Sequence, residues 1–334
     1  MVLSGFLSFA GCAVTPESKT TVATTVAVAP SAAPVAGGRE KRSQDYVVVS
    51  VEAADTYELL ASQYLGDAKL AYLISEFNGN VMLTKGDTVA IPLKSANPGG
   101  LYPDGYQTVP VLCYHQFGHQ KSSNKISVSE ETFDRQMAFL KNNGYSVITL
   151  NQLNDFIEYR RRPPKKSVLI TIDDGWKTAR TIAYPILKKY GFTAVLFVYT
   201  DLIKSRPSSM TLSWDDINEM VKSGVMEVQS HTVTHADLTR AGDSQLQKEI
   251  GMSQKVIQEK TGVTARFLAY PYGNFNQETL KTMQKYGYKA GFTVLRGGNA
   301  FFQNTWSLNR SMVFNSDRIE DFAKLLDTYH RDIP

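Results

Sequence analysis

Four side chains capable of hydrolytic chemistry follow two apolar segments of the chain. Asp173 and Asp174 come directly after residues 167–172, a run rich in Val, Leu and Ile that is too short for a helix. Such a run is typical of a strand buried on both faces of a parallel sheet. A second strand-like segment leads into His231 and, four residues later, His235. One aspartate and two such histidines form a ligand set typical of metal sites.

Each of these features also has an ordinary structural explanation when it is taken alone. Paired acids before a helix often cap its N-terminus, and a lone histidine is often a core or surface residue. The joint pattern favours a site, because a third strand-like stretch, 265–270, runs into the turn 271–273, Pro-Tyr-Gly, which can present backbone N–H groups. Three separate strand ends therefore carry acids, imidazoles and a tight turn.

These three segments, in this order, resemble the motifs of the polysaccharide deacetylase family, also called the NodB-homology family or carbohydrate esterase family 4. Residues 171–175, Thr-Ile-Asp-Asp-Gly, correspond to its T-F-D-D-G motif. Residues 231–235, His-Thr-Val-Thr-His, correspond to H-[ST]-x-x-H, and residues 271–273 to the end of the third motif. The resemblance covers about residues 105 to 334.

The resemblance implies a role for each matched residue. Asp173 would be the general base, Asp174, His231 and His235 the metal ligands, and the backbone N–H of Tyr272 part of the oxyanion hole. Three protein ligands leave positions open for water and substrate, so zinc is the default metal, although cobalt, nickel, manganese and iron also suit a mixed site. The implied reaction is hydrolytic removal of acetyl groups from N-acetylglucosamine units of a cell-wall or envelope polysaccharide.

Two positions depart from the family pattern. The third motif usually begins with an arginine that pairs with the base, but Ala269 stands there in this chain. We expect Arg310 to take this part in preference to Arg266, because Arg266 lies near the start of its strand and away from the strand exit. The family's C-terminal L-x-H motif, whose histidine is the general acid, is also missing.

A histidine at the other end of the domain offers a replacement acid. The apolar segment 109–114 ends in His115 and resembles the corresponding segment of the exopolysaccharide-deacetylating branch of the family, in which the barrel is circularly permuted. We therefore predict that His115 protonates the departing amine, although ordinary hydrogen bonding at a strand end would also explain it. His119 lies in a polar loop and is expected to be solvated. Trp176 and Trp214 suit either a wall of the sugar site or the core.

Strand-like and helical segments alternate from residue 109 onward, which is typical of parallel strands covered by helices. The predicted strands are 109–115, 146–150, 167–173, 193–200, 226–231, 265–270, 290–295 and 306–313. The predicted helices include 131–142, 177–190, 245–260 and 278–286. This pattern predicts an α/β fold, a distorted (β/α) barrel whose site lies where the strands end.

Composition divides the chain into five parts. Residues 1–12 are apolar and end in Phe-Ala-Gly-Cys, which resembles a bacterial lipoprotein signal without its usual charged start. Residues 13–43 contain few large side chains and predict a disordered tether. Residues 44–95 follow a β-α-α-β pattern and resemble a LysM module, a family that binds N-acetylglucosamine-containing glycans. Residues 96–106 contain Asn-Pro-Gly-Gly and predict a linker, and residues 107–334 form the deacetylase domain.

These parts predict a bacterial envelope protein that is anchored in the membrane by a lipid on Cys12. It would face the periplasm or the outer surface, where it meets N-acetylglucosamine-containing polysaccharide. The formal net charge of +4 is small and spread along the chain, so no nucleic-acid partner is expected. With Cys12 lipidated, Cys113 is left alone and no disulfide is predicted.

Three alternatives to N-deacetylation are considered. The same site could remove O-acetyl groups from xylan or another acetylated glycan. A catalytically decayed glycan-binding protein would explain the two departures, but intact Asp173, Asp174, His231 and His235 argue against decay. A zinc peptidase is disfavoured because Thr232 stands where the glutamate of an H-E-x-x-H helix belongs.

Overall fold

The computed structural model describes residues 39–120, 123–203 and 208–331. The predicted lipoprotein signal at 1–12, with Cys12, and most of the predicted tether lie outside these residues. Across the described ranges, none of the helices combines the length and the apolar character needed to cross a membrane.

A small N-terminal unit has the predicted β-α-α-β order and one additional strand. Its elements are β1 (Glu40–Arg42), β2 (Tyr46–Ser50), α1 (Tyr57–Leu65), α2 (Ala71–Phe77) and β3 (Thr88–Pro92). The three strands form an antiparallel sheet in the order β1-β2-β3. Helix α1 begins after Thr56, whose side chain accepts a hydrogen bond from the backbone of Leu59. Alternate strand residues pack with Leu60 and Ile74 in a core that belongs to this unit alone.

The larger part of the described chain alternates strands and helices. Its strands are β4 (Leu101–Tyr102), β5 (Gly105–Gln107), β6 (Val109–Tyr114), β7 (Gln116–Gly118), β8 (Ser127–Ser129), β9 (Ser146–Val147), β10 (Ser167–Asp174), β11 (Ala194–Val198), β12 (Met226–Ser230), β13 (Phe267–Ala269), β14 (Ala290–Phe292), β15 (Gly298–Asn299), β16 (Ser311–Met312) and β17 (Tyr329–His330). Its helices are α3 (Glu130–Asn142), α4 (Leu150–Ile157), α5 (Tyr184–Tyr190), α6 (Trp214–Lys222), α7 (Asp243–Leu246), α8 (Ser253–Thr261), α9 (Gln277–Lys285) and α10 (Ile319–Ala323). The π-helical segments Ala179–Ala183 and Gln247–Met252 precede α5 and α8.

Parallel strands form the predicted distorted barrel. Their order is β14-β13-β12-β11-β10-β6-β16. The two ends of this sheet meet where Phe292, the last residue of β14, bridges Leu308 in parallel. Leu308 also donates its backbone N–H to Gly291 at 2.9 Å and accepts from the backbone of Thr293 at 2.8 Å. The segment that leads into β16 therefore closes the barrel.

Successive strand residues point to opposite faces, and this alternation separates two cores. Leu112, Ile170 and Leu196 pack outward against the helices in the larger core. Leu169 and Phe197 point inward with other apolar strand residues and form the core inside the barrel. Because Asp173 follows Leu169 by four residues in a regular strand, its side chain points into the barrel as well.

The eight predicted strand segments all contain strand, but the barrel has fewer strands than predicted. The predicted strand 146–150 ends at Val147, because Thr149 forms a capping box with Gln152 and begins helix α4. Only Ser311–Met312 of the predicted strand 306–313 pairs with β6, after the short helical turn Thr305–Ser307. Since β9 pairs over two residues with β10 and lies off the main path, the described barrel has seven strands rather than eight.

Two predicted boundaries also differ from the structure. The tether was predicted to extend to residue 43, but Glu40–Arg42 forms β1, because its backbone pairs with β2. The linker was predicted at 96–106, but Leu101–Tyr102 and Gly105–Gln107 form a hairpin whose second strand pairs with β17. The rings of Tyr102 and Tyr329 lie 5.9 Å apart, so aromatic packing helps to hold this hairpin against the C-terminal strand.

Closure of the barrel predicts a large cost for Gly291→Ala. An added Cβ would overlap the phenol of buried Tyr270, and that ring is held in place because its hydroxyl donates to the Trp306 carbonyl at 2.9 Å. We expect the free energy of unfolding to fall by about 2–3 kcal/mol, as in other overpacked cores. Chemical denaturation measures it. The control is Gly242→Ala, where nothing lies within 4 Å of the added atom, and its cost should be under about 1 kcal/mol. Equal costs at both positions would contradict this packing.

Candidate active site

The register of the barrel strands brings the predicted site residues to one level. Ile172 pairs with Tyr114, so the residues that follow them, Asp173 and His115, come next to each other at the strand ends. On the other side, Val198 pairs with both Asp174 and Ser230, so that His231 follows directly. The carboxyl ends of parallel strands share one end of a barrel, as in other (β/α) barrels with active sites.

Asp173 forms a buried ion pair with Arg310. The side chain of Arg310 is fully buried, and its Nη1 donates to Oδ1 of Asp173 at 2.7 Å. Its Nε donates to the carbonyl of Thr293 at 2.9 Å, and its guanidinium lies 5.5 Å from the ring centre of Phe197. Burial alone would raise the pKa of Asp173, but the positive charge of Arg310 holds that pKa well below the usual range. Asp173 is therefore a carboxylate at physiological pH.

The second oxygen of Asp173 faces Cys113, whose involvement the sequence did not predict. The Sγ of Cys113 lies 3.5 Å from Oδ2 of Asp173. Burial and the neighbouring carboxylate raise the pKa of Cys113 well above its usual value, so it is a neutral thiol that can donate to this oxygen. The sequence could have indicated this contact, because Cys113 comes two residues before His115 and strand residues two apart point to the same face.

A backbone turn lets Asp174 face the same site as its neighbour. Adjacent strand residues ordinarily point to opposite faces, but Asp174 has a φ of 78°, in the left-handed region. Its Oδ1 lies 3.8 Å from Nε2 of His231 and 3.9 Å from Nε2 of His235. Its Oδ2 accepts a hydrogen bond from the indole of Trp176 at 2.8 Å. One oxygen therefore faces both imidazoles while the other is held by Trp176.

His231 is oriented so that its Nε2 is free to bind a metal. Its Nδ1 lies 2.7 Å from the carbonyl oxygen of Ala269, which can only accept, so Nδ1 carries the proton. Burial lowers the pKa of His231 to about 4, and the ring is neutral at physiological pH. Ala269 thus contributes a carbonyl at the position where the family pattern has an arginine.

His235 completes a three-residue cluster. One ligand atom each from Asp174, His231 and His235 lies within 4.8 Å of the other two. The ring of His235 lies 4.8 Å from the ring of Tyr272 and 5.4 Å from that of Tyr199. The turn that carries Tyr272 therefore lies beside the cluster, and the exposed ring of Tyr272 borders it on the solvent side.

His115 follows β6, which pairs with β10 on the side away from β11 and β12. Ligand atoms of Cys113, His115 and Asp173 also lie within 4.8 Å of one another. Among the described residues, Nδ1 of His115 has no hydrogen-bond partner although it is buried. The alternative explanation was a histidine whose ring nitrogens are held by ordinary hydrogen bonds at a strand end, and the unpaired Nδ1 does not support it.

The other residues considered from the sequence lie elsewhere or have different contacts. Trp176 binds the Asp174 carboxylate as described above, whereas Trp214 is buried in the outer core between helices and sheet. Arg266 is exposed and does not pair with Asp173. His119 is exposed, and its Nδ1 lies 2.7 Å from Oε2 of Glu130.

Comparisons with known proteins identify the family. The model of the family described as polysaccharide deacetylase matches residues 160–291, which include the two aspartates, both clustered histidines and Tyr272. YxkH of Bacillus subtilis (strain 168), whose name assigns it to the polysaccharide deacetylases, is 33% identical over 205 residues, 61% of this chain and 71% of that protein. The chain belongs to the polysaccharide deacetylase family.

Other members of this family extend the similarity. A Staphylococcus aureus (strain MRSA252) protein named poly-beta-1,6-N-acetyl-D-glucosamine N-deacetylase is 29% identical over 226 residues, 64% of this chain and 77% of that protein. The structure of the Streptococcus pyogenes deacetylase PplD in complex with acetate matches with a TM-score of 0.62 and 28% identity, covering 66% of this chain and 98% of that chain. As a polysaccharide deacetylase, the protein is a hydrolase.

The buried ion pair predicts strong energetic coupling between Arg310 and Asp173. Arg310→Met leaves an unpaired buried carboxylate and should lower the free energy of unfolding by about 3–5 kcal/mol. In a protein that already carries Asp173→Asn, Arg310→Met should lower the free energy of unfolding clearly less. The double-mutant cycle should therefore give a coupling energy of about 1–3 kcal/mol.

An exposed ion pair provides the control for this cycle. Lys281 and Glu278 are also 2.7 Å apart, but both side chains are more than half exposed. A cycle with Lys281→Met and Glu278→Gln should therefore give coupling close to zero. The effects of Arg310→Met and Asp173→Asn on the free energy of unfolding could instead simply add, as in the control cycle. In that case the ion pair would not stabilise the barrel as described.

Proposed function

We propose that this protein is a metal-dependent N-deacetylase that removes acetyl groups from N-acetylglucosamine units of a cell-wall or envelope polysaccharide. One observation carries the proposal: ligand atoms of Asp174, His231 and His235 converge within 4.8 Å beside a second aspartate that is paired with Arg310. The cluster suits a metal, and the separate carboxylate suits a general base. Hydrolysis of an amide at neutral pH uses both.

The residues present fit a divalent metal. Two imidazoles and one carboxylate form a mixed nitrogen and oxygen donor set, for which zinc is the default and cobalt, nickel, manganese or iron are alternatives. The hydrogen bonds from His231 to Ala269 and from Trp176 to Asp174 orient two ligands in the way outer contacts do at metal sites. When bound, the metal would polarise the acetamide carbonyl and lower the pKa of a coordinated water.

Asp173 would accept the proton of the attacking water. Its Oδ1 accepts from Arg310, and its Oδ2 lies 3.9 Å from Nε2 of His231, one of the residues that would hold the metal. Arg310 keeps this carboxylate ionised before the reaction, so Asp173 enters the reaction as a proton acceptor. A second residue that is protonated before the reaction would give its proton to the departing amine.

His115 would supply that proton. Its ligand atom lies within 4.8 Å of one from Asp173, and its buried Nδ1 has no partner among the described residues. Histidine is the side chain that most often transfers protons in general acid–base catalysis. The backbone N–H of Tyr272, on the turn beside His235, would stabilise the negative charge that develops on the oxygen of the acetyl group.

The proposed substrate class is supported by similarity. The Staphylococcus aureus relative is named for action on poly-beta-1,6-N-acetyl-D-glucosamine, and it matches 64% of this chain. Acetate and glucosamine units are the products expected from such a polymer. We therefore expect activity on N-acetylglucosamine oligomers and greater activity on β-1,6-linked than on β-1,4-linked ones.

Acetate release from defined oligomers tests the proposed function. The protein should release one acetate for each free amine formed, lose activity after treatment with a chelator, and regain it when a divalent metal is added back. Acetylated xylan of equal acetyl content is the comparison substrate for the O-acetyl esterase alternative. Release of acetate from xylan but not from N-acetylglucosamine oligomers would favour the esterase, and release from neither would favour a glycan-binding protein.

The proposed acid role of His115 predicts a leaving-group effect. His115→Ala should lower deacetylation of an amide substrate by about 10²–10⁴, the usual worth of a general acid. Hydrolysis of an aryl acetate should fall far less, because its phenolate leaves without needing a proton. His119→Ala, four residues along the chain and exposed, is the control and should affect neither substrate. Equal losses on amide and ester in His115→Ala would instead indicate a structural role.

We also propose that the N-terminal unit binds the same glycan class as a LysM module. Its loop residues Val81 and Met82 are exposed, and the hydroxyl of Tyr57 ties this loop to α1 by donating to the Val81 carbonyl at 2.8 Å. Exposed apolar side chains suit the faces of sugar rings. Met82→Glu should reduce retention on insoluble peptidoglycan or chitin, whereas Met252→Glu, at another exposed methionine, should not. Unchanged retention in Met82→Glu would contradict this proposal.

A further inference from the structure

The segment that connects the two clustered histidines has an unfavourable backbone. Thr232 has a φ of 73° and His235 a φ of 63°, both in the left-handed region. This region is costly for residues with a side chain, and most costly for a β-branched residue such as threonine. Both imidazoles face Asp174 only while this backbone persists. Other contacts must therefore hold the segment in place.

Glu249 makes three hydrogen bonds to this segment. Its Oε2 accepts from the backbone N–H of Val233 and of Thr234, both at 2.9 Å, and its Oε1 accepts from the hydroxyl of Thr234 at 2.7 Å. Glu249 is only 2% exposed, although it follows the two ligands by more than a dozen residues and lies in the π-helical segment Gln247–Met252. Hydrogen bonds to a buried carboxylate are among the stronger ones in proteins.

The opposite edge of the segment is held by the turn that follows β11. The backbone N–H of Thr200 donates to the Thr232 carbonyl at 3.1 Å, and that of Asp201 donates to the Val233 carbonyl at 2.9 Å. Backbone N–H groups of the neighbouring turn therefore bind the carbonyls of this segment on one side. Glu249 binds the N–H groups of Val233 and Thr234 on the other side, and a residue without a side-chain oxygen would leave both N–H groups without this acceptor.

We propose that Glu249 is a positioning residue that fixes His231 and His235 in ligand geometry and thereby sets the affinity for the metal. It touches neither the metal ligands' side chains nor the reacting atoms. The inference rests on the proposed metal site and adds to it. With Glu249 present, the free-energy cost of ordering residues 231–235 is met when the protein folds. Without Glu249, part of the free energy of metal binding is used to order these residues, so the affinity for the metal falls.

Two variants separate the contributions of charge and shape. Glu249→Gln retains an oxygen acceptor of similar geometry and loses the charge, whereas Glu249→Ala removes every acceptor. Outer contacts of this kind contribute about 10–100-fold to metal affinity. We expect the dissociation constant for Zn²⁺ to rise about 10-fold in Glu249→Gln and about 100-fold in Glu249→Ala. At saturating Zn²⁺, turnover should return close to that of the unchanged protein, because the reacting groups are intact.

The measurement is competition between full-length protein and a chromophoric chelator for Zn²⁺ at fixed neutral pH. Two control variants lie on α8, close to Glu249 along the chain. Glu259→Gln changes an exposed glutamate paired with Lys255, and should alter nothing. Ile257→Val removes one methyl group from a fully buried side chain and should lower the free energy of unfolding by about 0.5–1.5 kcal/mol with unchanged Zn²⁺ affinity.

The outcomes separate the inference from the proposed metal site. Weakened Zn²⁺ binding in both Glu249 variants, with turnover restored at saturating Zn²⁺ and no change in the controls, would support it. An unchanged dissociation constant in Glu249→Gln would overturn the inference, whether or not Glu249→Ala folds. Weakened binding in Ile257→Val to the same extent would also overturn it, since general destabilisation would then explain the effect. If the unchanged protein bound no Zn²⁺, the metal site itself would fail, and the inference with it.

Discussion

The buried ion pair between Asp173 and Arg310 is the interaction on which the rest of the site depends. Arg310 follows Leu308 by two residues, and Leu308 bridges β14 to close the barrel. Closure of the barrel therefore delivers the guanidinium to the carboxylate. Burying a charged side chain costs free energy unless an opposite charge lies next to it. Because Arg310 and Asp173 are both buried, each needs the other as its partner. The same contact keeps Asp173 ionised for chemistry.

Two adjacent aspartates can take different roles because the backbone turns between them. Asp173 continues the inward face of β10, where Arg310 and Cys113 lie, whereas the left-handed φ of Asp174 directs its carboxylate toward His231 and His235. The positive charge of Arg310 beside one carboxylate and the metal proposed beside the other reduce the repulsion between two neighbouring negative charges. The last two residues of β10 therefore face different partners.

Much of this arrangement follows from the sequence because short apolar runs end at the polar residues. Parallel pairing then requires those strand ends to meet, and in the structure Asp173, His115 and His231 lie at the same end of the sheet. The contact between Cys113 and Asp173 depends on how β6 and β10 are aligned, and this register cannot be predicted from the residue types alone. The early end of β9 reflects competition from the capping box at Thr149, a local hydrogen-bonding signal stronger than the apolar pattern. Glu249 could not be distinguished from a solvated helical glutamate, because its partners lie in a distant turn.

The division of roles between the adjacent aspartates is the central claim, and the metal content of two isosteric variants tests it directly. Asp173→Asn and Asp174→Asn would be purified, loaded with Zn²⁺, and analysed for metal per chain and for acetate release from N-acetylglucosamine oligomers. Asp173→Asn should retain one metal per chain and be nearly inactive, whereas Asp174→Asn should lose most of its metal. Loss of the metal in Asp173→Asn, with retention in Asp174→Asn, would contradict the account.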